Sequence, residues 1–319
     1  MNIALVAAGY IPKPPMSNSI YNLIWKYKLC LEAFGHTVDF YNEKDLNRVI
    51  DCLNTIKYDF IHLHAFDFVK YFNQHLNKKY CFTCHYGYLL KESQWNLKFQ
   101  QAFNSCMDTP GIIALSSSAK SFFIGKGYSK FLRVQPNGID TSQVSFRESG
   151  NHKAICLGWI QPRKQQKLLA NRIDGALPLD FIGPLDDPDF TEGSTTKYLG
   201  IWSQKQVYAN LTNYSCLVLM SDGEVAPLVV IEALAAGLCL VVSESASANL
   251  HTKDFITILP DNILSDSKNK KIVAESITKM IDINKYHRKE IVRYAVENFD
   301  LNNLTRNYIK IINESLFSI

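Results

Sequence analysis

The feature that most constrains the fold is the apolar run from Ala226 to Val242. It invites reading as a membrane span, but Glu232 sits in its middle and Gly237 interrupts it. A spanning helix needs about 20 apolar residues, and a charge within it is costly. The run therefore divides into a buried helix, Pro227 to Ala236, and a buried strand, Leu238 to Val242. Another apolar strand, Cys216 to Met220, precedes it. Strand, helix and strand in this order are a unit of a parallel sheet covered by helices.

The same alternation runs along most of the chain. In the first half, strands are expected at Asn2 to Ala7, Thr37 to Tyr41, Phe60 to His64, Tyr80 to His85, Gly111 to Leu115 and Leu132 to Gln135. Helices are expected at Asn18 to Phe34, where Ile20, Leu23, Ile24, Tyr27 and Leu31 recur at helical spacing, and at Asp45 to Ile56. Ser116 or Ser117 can cap the helix after the fifth strand. Pro136-Asn137-Gly138 is a turn, and the polar stretch Ser145 to His152 reads as a linker. Strands resume at Ala154 to Gly158, Leu179 to Ile182 and Lys197 to Leu199, and Ser203-x-x-Gln206 is a capping box. After Ser267 the chain reads as helix to its end. A length of 319 residues suits two domains. The expected fold is α/β, with two doubly wound Rossmann-like domains, 1–148 and 149–298, and a helical tail, 299–319. Neither domain carries Gly-x-Gly-x-x-Gly or a Gly-Lys-Ser/Thr loop, which argues against dinucleotide oxidoreductases and P-loop NTPases.

A hydrophobic fraction of 47% and a charged fraction of 20% argue against wholesale disorder. The net charge of +4 gives no basis for nucleic-acid binding. The charge is uneven: residues 1–150 hold 16 Lys and Arg against 11 Asp and Glu, and residues 151–319 hold 18 against 19. Lys70, Lys78 and Lys79 flank the stretch Phe66 to Leu76, where Phe68, Val69, Phe72 and Leu76 can share one face. A basic amphipathic segment of this kind suits a membrane surface or another anionic acceptor; the alternative is an ordinary surface helix that packs its apolar stripe on the sheet. The eight Cys are scattered, most of them in apolar runs, the pattern of reduced thiols in a cytoplasmic chain. Ile3 to Ala8 is short and has no Lys or Arg before it, so it reads as a strand and not a signal peptide. Cys81-Phe82-Thr83-Cys84-His85 has the spacing of a haem attachment, which requires export; the segment alternates like a strand, and neither haem nor a metal held by His62 and His64 is expected.

The chemistry concentrates at Ser221-Asp222-Gly223-Glu224-Val225-Ala226-Pro227, where a strand runs into a loop and a helix opens at Pro227. The N-terminus of that helix is an anion site. Glu224 stands before it and Glu232 lies on it. Acids beside an anion site suit a ligand that carries both a diphosphate and sugar hydroxyls. The alternative is a capping acid and an incidental buried Glu, but a charge in so apolar a run needs a partner.

Glu224-x7-Glu232 followed by Ala-Leu-Ala-Ala-Gly resembles the donor-site motif of glycosyltransferase family 4, the retaining GT-B enzymes. The resemblance implies that Glu232 holds the donor ribose, that Glu224 reaches the sugar, and that the backbone from Val225 through Ala226, Pro227 and Leu228 to Val229 holds the diphosphate. Leu157-Gly158-Trp159-Ile160-Gln161-Pro162-Arg163-Lys164 resembles the stretch after the first strand of the family's second domain. This implies that Lys164 neutralises the diphosphate, with Gly158, Trp159, Arg163 and Gly200 also on the donor. Asn137-Gly138-Ile139-Asp140, Gly35-His36-Thr37-Val38, Asp59-Phe60-Ile61-His62-Leu63-His64 and Thr83-Cys84-His85 resemble further family segments, and the last assigns His85 to the reaction centre. Phe299 to Leu316 resembles the final helix that crosses back to the first domain. Three departures stand out: Trp159 where Arg is usual, Ser17-Asn18-Ser19 where a Gly-Gly acceptor or phosphate loop is usual, and Ser247-Ala248-Asn249 where Gly-Gly precedes a later Glu.

The resemblance implies a GT-B fold with two domains facing a cleft. It implies transfer of a sugar, with retention, from a UDP- or GDP-sugar to a hydroxyl of a glycan or lipid-linked acceptor. His85, Glu224 and Lys164 are the expected catalytic residues, and no cofactor or metal is expected. A catalytically weak sugar-nucleotide-binding protein is the alternative that Trp159 and the missing glycines support. A sugar-nucleotide epimerase shares the fold.

Overall fold

The computed structural model describes residues 1–8 and 19–318. The chain divides into two compact units, Met1–Gly138 with Leu301–Ile319, and Ile139–Asp300. The division falls after Gly138, where the sequence put it after 148. The reason is the hydrogen bonding of the intervening segment, in which Ile139 N donates to Phe299 O, Ser145 N to Tyr208 O and Arg147 N to Thr212 Oγ1.

The first unit runs β1 (Asn2–Val6), α1 (Ser19–Ala33), β2 (Thr37–Tyr41), α2 (Leu46–Thr55), β3 (Phe60–Leu63), α3 (Val69–His75), β4 (Cys81–Phe82), α4 (Leu97–Met107), β5 (Gly111–Ala114), α5 (Ser117–Gly125) and β6 (Phe131–Val134). Its six strands pair in parallel in the order β2-β1-β3-β4-β5-β6. Asp45, Asn96 and Ser116 cap α2, α4 and α5 through their side chains. The strand expected over Tyr80 to His85 shrinks to two paired residues. Of the stripe Phe68, Val69, Phe72 and Leu76, the last three are buried inside the unit and Phe68 is half-buried, so most of the apolar face packs inward.

The second unit runs β7 (Ala154–Leu157), α6 (Gln166–Ile173), β8 (Leu179–Ile182), β9 (Thr196–Tyr198), α7 (Gln204–Asn210), β10 (Cys216–Leu219), α8 (Leu228–Ala235), β11 (Cys239–Ser243), β12 (Ile256–Leu259) and α9 (Lys270–Phe299). Its parallel order is β12-β11-β10-β7-β8-β9. Ser203 and Gln206 form the capping box expected at α7. The strand β12 has no counterpart in the sequence reading, because it is paired on one side only and its residues are half exposed. The apolar run proves to be α8 followed by β11. Pro227 is not the first helical residue; its extended backbone (φ −70°, ψ 121°) sets it at the cap, and Leu228 begins the helix.

After Asp300 the chain turns into α10 (Leu301–Ser318), which belongs to the first unit. There Asn307 Nδ2 donates to Gln135 Oε1 at 2.9 Å, and Gln135 Nε2 donates to Tyr27 OH at 3.1 Å and to Leu304 O at 3.0 Å. No helix among the described residues is long and apolar enough to cross a membrane.

Candidate active site

In an open parallel sheet, ligands bind beyond the carboxyl ends of the strands, where the strand order reverses. In the second unit that point lies between β7 and β10, which are neighbours in the sheet though far apart in sequence. The loops leaving these two strands, 158–165 and 220–227, carry most of the residues singled out above.

One oxygen organises them. Glu224 Oε1 lies 3.1 Å from Lys164 Nζ and 3.1 Å from Arg163 Nη1, and it accepts from Ser221 Oγ at 3.1 Å. Arg163 Nη1 also donates to Gly223 O, and Asp222 N donates to Arg163 O at 2.8 Å, so the two loops are laced together. Burial alone would raise the Glu224 carboxyl, but Lys164 and Arg163 outweigh it and hold the group below the ordinary carboxylate range. Two cations meet on one carboxylate oxygen just ahead of α8, whose N-terminus adds partial positive charge. Such a site suits an anion of higher charge than a single carboxylate.

Two glycines make room for this arrangement. Gly158 has φ +139°, and a Cβ there would come within 3.2 Å of Lys164 Nζ. Gly183 has φ +142°, and a Cβ there would meet Gly158 O at 2.1 Å. The backbone after β7 can thus pass close to the loop after β8, with Gly158 N donating to Ile182 O and Gly183 N to Gly200 O, each at 2.9 Å.

Of the remaining residues singled out in this unit, Val225 and Val229 are buried, and Ala226 and Leu228 are half-buried. The N–H groups at the start of α8 have no partner within the helix, as at any helix start. Glu232 is buried on α8, and its Oε1 accepts from Gln204 Nε2 at 3.2 Å. Trp159 is 47% exposed, its carbonyl held by Gln166 Nε2 at 2.8 Å. The sequence reading named Ser221 in the motif without its bond to Glu224, and it missed Gln166 and Gln204, which reach their partners only through the fold.

The first unit gathers a different cluster at the ends of β3 and β4. His62 Nε2 lies 2.8 Å from Thr83 Oγ1, whose single proton goes to Ile113 O at 2.7 Å. His62 therefore carries its proton on Nε2, and its Nδ1 accepts from Tyr308 OH of α10. His64 Nδ1 lies 3.0 Å from His85 Nε2. Burial first, then the neighbouring His85, pulls His62 down to about 3. Burial, then the other two rings, pulls His64 well below its ordinary value, and burial brings His85 to about 4. All three are neutral at physiological pH. They line, with Leu5, Tyr27 and Tyr308, a cavity of about 20 Å³, room for a water. Cys81 and Cys84 are buried free thiols. Among the described residues no group of three His, Cys, Asp or Glu is placed to hold a metal ion. Ser19 opens α1 and is exposed; Ser17 and Asn18 lie outside the described residues.

Two parallel six-stranded sheets, the second with its cations and paired acids at the switch point, define the GT-B class of α/β protein. The comparisons agree. The model of Glycosyltransferase Family 4 matches residues 29–143, and that of Glycosyl transferases group 1 matches residues 193–297. Together they span more than half of the chain, which belongs to this group of glycosyltransferases. Similar solved structures include HepE of Anabaena in complex with UDP-glucose (16% identity, all of both chains covered, TM-score 0.68). Another is sucrose-phosphate synthase of Thermosynechococcus elongatus (13% identity, all of both chains covered, TM-score 0.73). A third is the apo form of the lipopolysaccharide outer core galactosyltransferase WaaB (13% identity, 100% of this chain and 99% of that chain covered, TM-score 0.70). At these identities the likeness concerns the fold. No curated protein sequence matches the chain.

Proposed function

We propose that the chain transfers a sugar from a nucleoside-diphosphate sugar to an acceptor hydroxyl, with retention and without a metal ion. The observation that carries this reading is the meeting of Lys164 and Arg163 on Glu224 Oε1, ahead of α8 and its buried Glu232. On this reading the diphosphate takes the two cations and the N–H groups at the start of α8. Their charge is already fixed in place when the leaving group develops its own. Glu224 then turns from the cations to the sugar hydroxyls, and Glu232 accepts from the ribose. The bond between the anomeric carbon and the diphosphate oxygen breaks. The acceptor oxygen bonds to the same face of that carbon, and its proton passes to the departing phosphate. A neutral His85 serves as a hydrogen-bonding group for the sugar. UDP-glucose and UDP, bound by HepE in its solved complexes, are the first ligands to try.

A second reading, a sugar-nucleotide binder with little turnover, is favoured by one observation: the side chain at 159 is an exposed, uncharged Trp. A thermal-shift screen with UDP-, GDP- and ADP-sugars identifies the donor; a ligand at a hundred times its Kd stabilises by about 2.7 kcal/mol. Release of the nucleoside diphosphate in the presence of candidate acceptors, and the anomeric configuration of the product by NMR, separate the readings. Turnover should persist in excess EDTA. Binding without turnover favours the second reading, and an inverted product or a metal requirement overturns the corresponding part of the first.

A further inference from the structure

We propose that His64 is a positioning residue for His85, fixing which nitrogen of the His85 ring a ligand meets. The two rings are joined by the 3.0 Å contact between His64 Nδ1 and His85 Nε2. Both imidazoles are neutral, so one proton lies in this contact, and the polarity of one ring dictates that of the other. A neutral imidazole ordinarily carries its proton on Nε2. With both rings in that form, His85 Nε2–H donates to His64 Nδ1. The reverse polarity would force both protons onto Nδ1. His85 Nδ1 is then a bare lone pair, ready to accept a hydrogen bond from a ligand hydroxyl.

The orienting ring is itself held. His64 N donates to Val6 O at 2.8 Å, which ties the residue to β1. Its ring centroid lies 4.0 Å from that of His62, and His62 is clamped between Tyr308 and Thr83. His64 is buried, whereas His85 is partly open, so the outer ring meets the ligand and the inner one sets its angle and tautomer. Orienting partners of this kind, when removed, cost activity by a factor of about 10–100 in metal sites. What His85 Nδ1 accepts from rests on the transferase reading; the bond to His64 does not.

The test uses the full chain labelled with ¹⁵N and long-range ¹H–¹⁵N spectra of the imidazoles. The wild type should show a through-hydrogen-bond coupling between His85 Nε2 and His64 Nδ1, with His85 wholly in the Nε2–H form. His64→Asn, whose amide oxygen can stand in for Nδ1, should keep that form, and His64→Leu should release it to a mixture. With the donor found by the thermal-shift screen, His64→Leu should lower kcat about tenfold with little change in KM, and Asn should restore most of it. Absence of the coupling, or an unchanged tautomer in His64→Leu, overturns the proposal. If His64→Leu does not fold, the wild-type coupling and the Asn variant decide. Failure to turn over any of the three donor classes counts against the transferase reading, while the spectra still decide the role of His64.

Discussion

Glu224 and Glu232, with seven residues between them, lie in the loop and helix after β10, and different groups hold them. Glu224 is bound by two cations, and Glu232 by the neutral amide of Gln204. The consequences differ. Because the folded Glu224 carboxyl lies below its ordinary value, the folded chain binds fewer protons there than the unfolded chain does. Its contribution to stability is complete above about pH 4.5 and is lost as the pH falls through the folded value. Glu224→Gln should therefore flatten the acid limb of the unfolding curve below about pH 4.5, measured by urea denaturation at a series of pH values. Glu232 Oε1 accepts from the Gln204 amide of α7, and its worth should appear in ligand binding. Glu232→Ala should weaken binding of the nucleoside diphosphate by about 1.5–3 kcal/mol, the value of a charge-assisted hydrogen bond, with little loss of fold. Calorimetry with UDP or GDP measures it; equal affinities would remove Glu232 from the donor site.

The long helix α9 does for the second unit what caps do for shorter elements. Arg288 is fully buried on it, with no carboxylate partner among the described residues. Its Nε donates to Arg147 O at 2.8 Å. Its Nη1 donates to Tyr214 O and Asn284 Oδ1, both at 2.8 Å, and its Nη2 to Thr212 O at 2.7 Å and Ala236 O at 3.2 Å. The guanidinium thus ties α9 to the segment entering the unit, to the turn before β10, and to the C-terminal end of α8, where a cation is favoured. Burial lowers its affinity for the proton, but an Arg stays charged in any protein interior. Arg288→Met leaves these carbonyls buried without donors and should destabilise the second unit by at least about 3 kcal/mol. Thermal unfolding followed by circular dichroism reports this, and a loss under about 1 kcal/mol would contradict it.

At the scale of the whole molecule, the first unit is made from the two ends of the chain. Strands β1 to β6 come from residues 2–134, and α10 supplies Tyr308 to His62 and Glu314 to Arg133, whose Nε lies 2.6 Å from Glu314 Oε2. Tyr308 is buried, its ring meeting those of Tyr27, Phe60 and His62. Ending the chain after Asp300 would open this core, while the second unit loses none of its own elements. Hydrogen exchange on the truncated chain should show lost protection in β1, β3 and α1 and retained protection in β7, β10 and β11. Equal loss in both units would show that they unfold together.

The sequence by itself determined the alternation of strands and helices, both sheets being parallel, and the spacing of Glu224 and Glu232, because each rests on local signals: apolar runs of strand length, capping side chains, and acids beside and within an apolar segment. It left open what depends on contact between distant segments. That Arg163 and Lys164 share one oxygen of Glu224 follows from β7 and β10 being neighbours at the switch point, some sixty residues apart along the chain. The stretch Phe66 to Leu76 has the same periodicity whether it faces a membrane or the interior, and only packing turned most of its apolar face inward. His62 and His64 fall in one expected strand, Phe60 to His64. The tertiary structure separated them, joining His62 to the tail through Tyr308 and His64 to His85, because hydrogen bonds between side chains are set by where strands and helices come together in space.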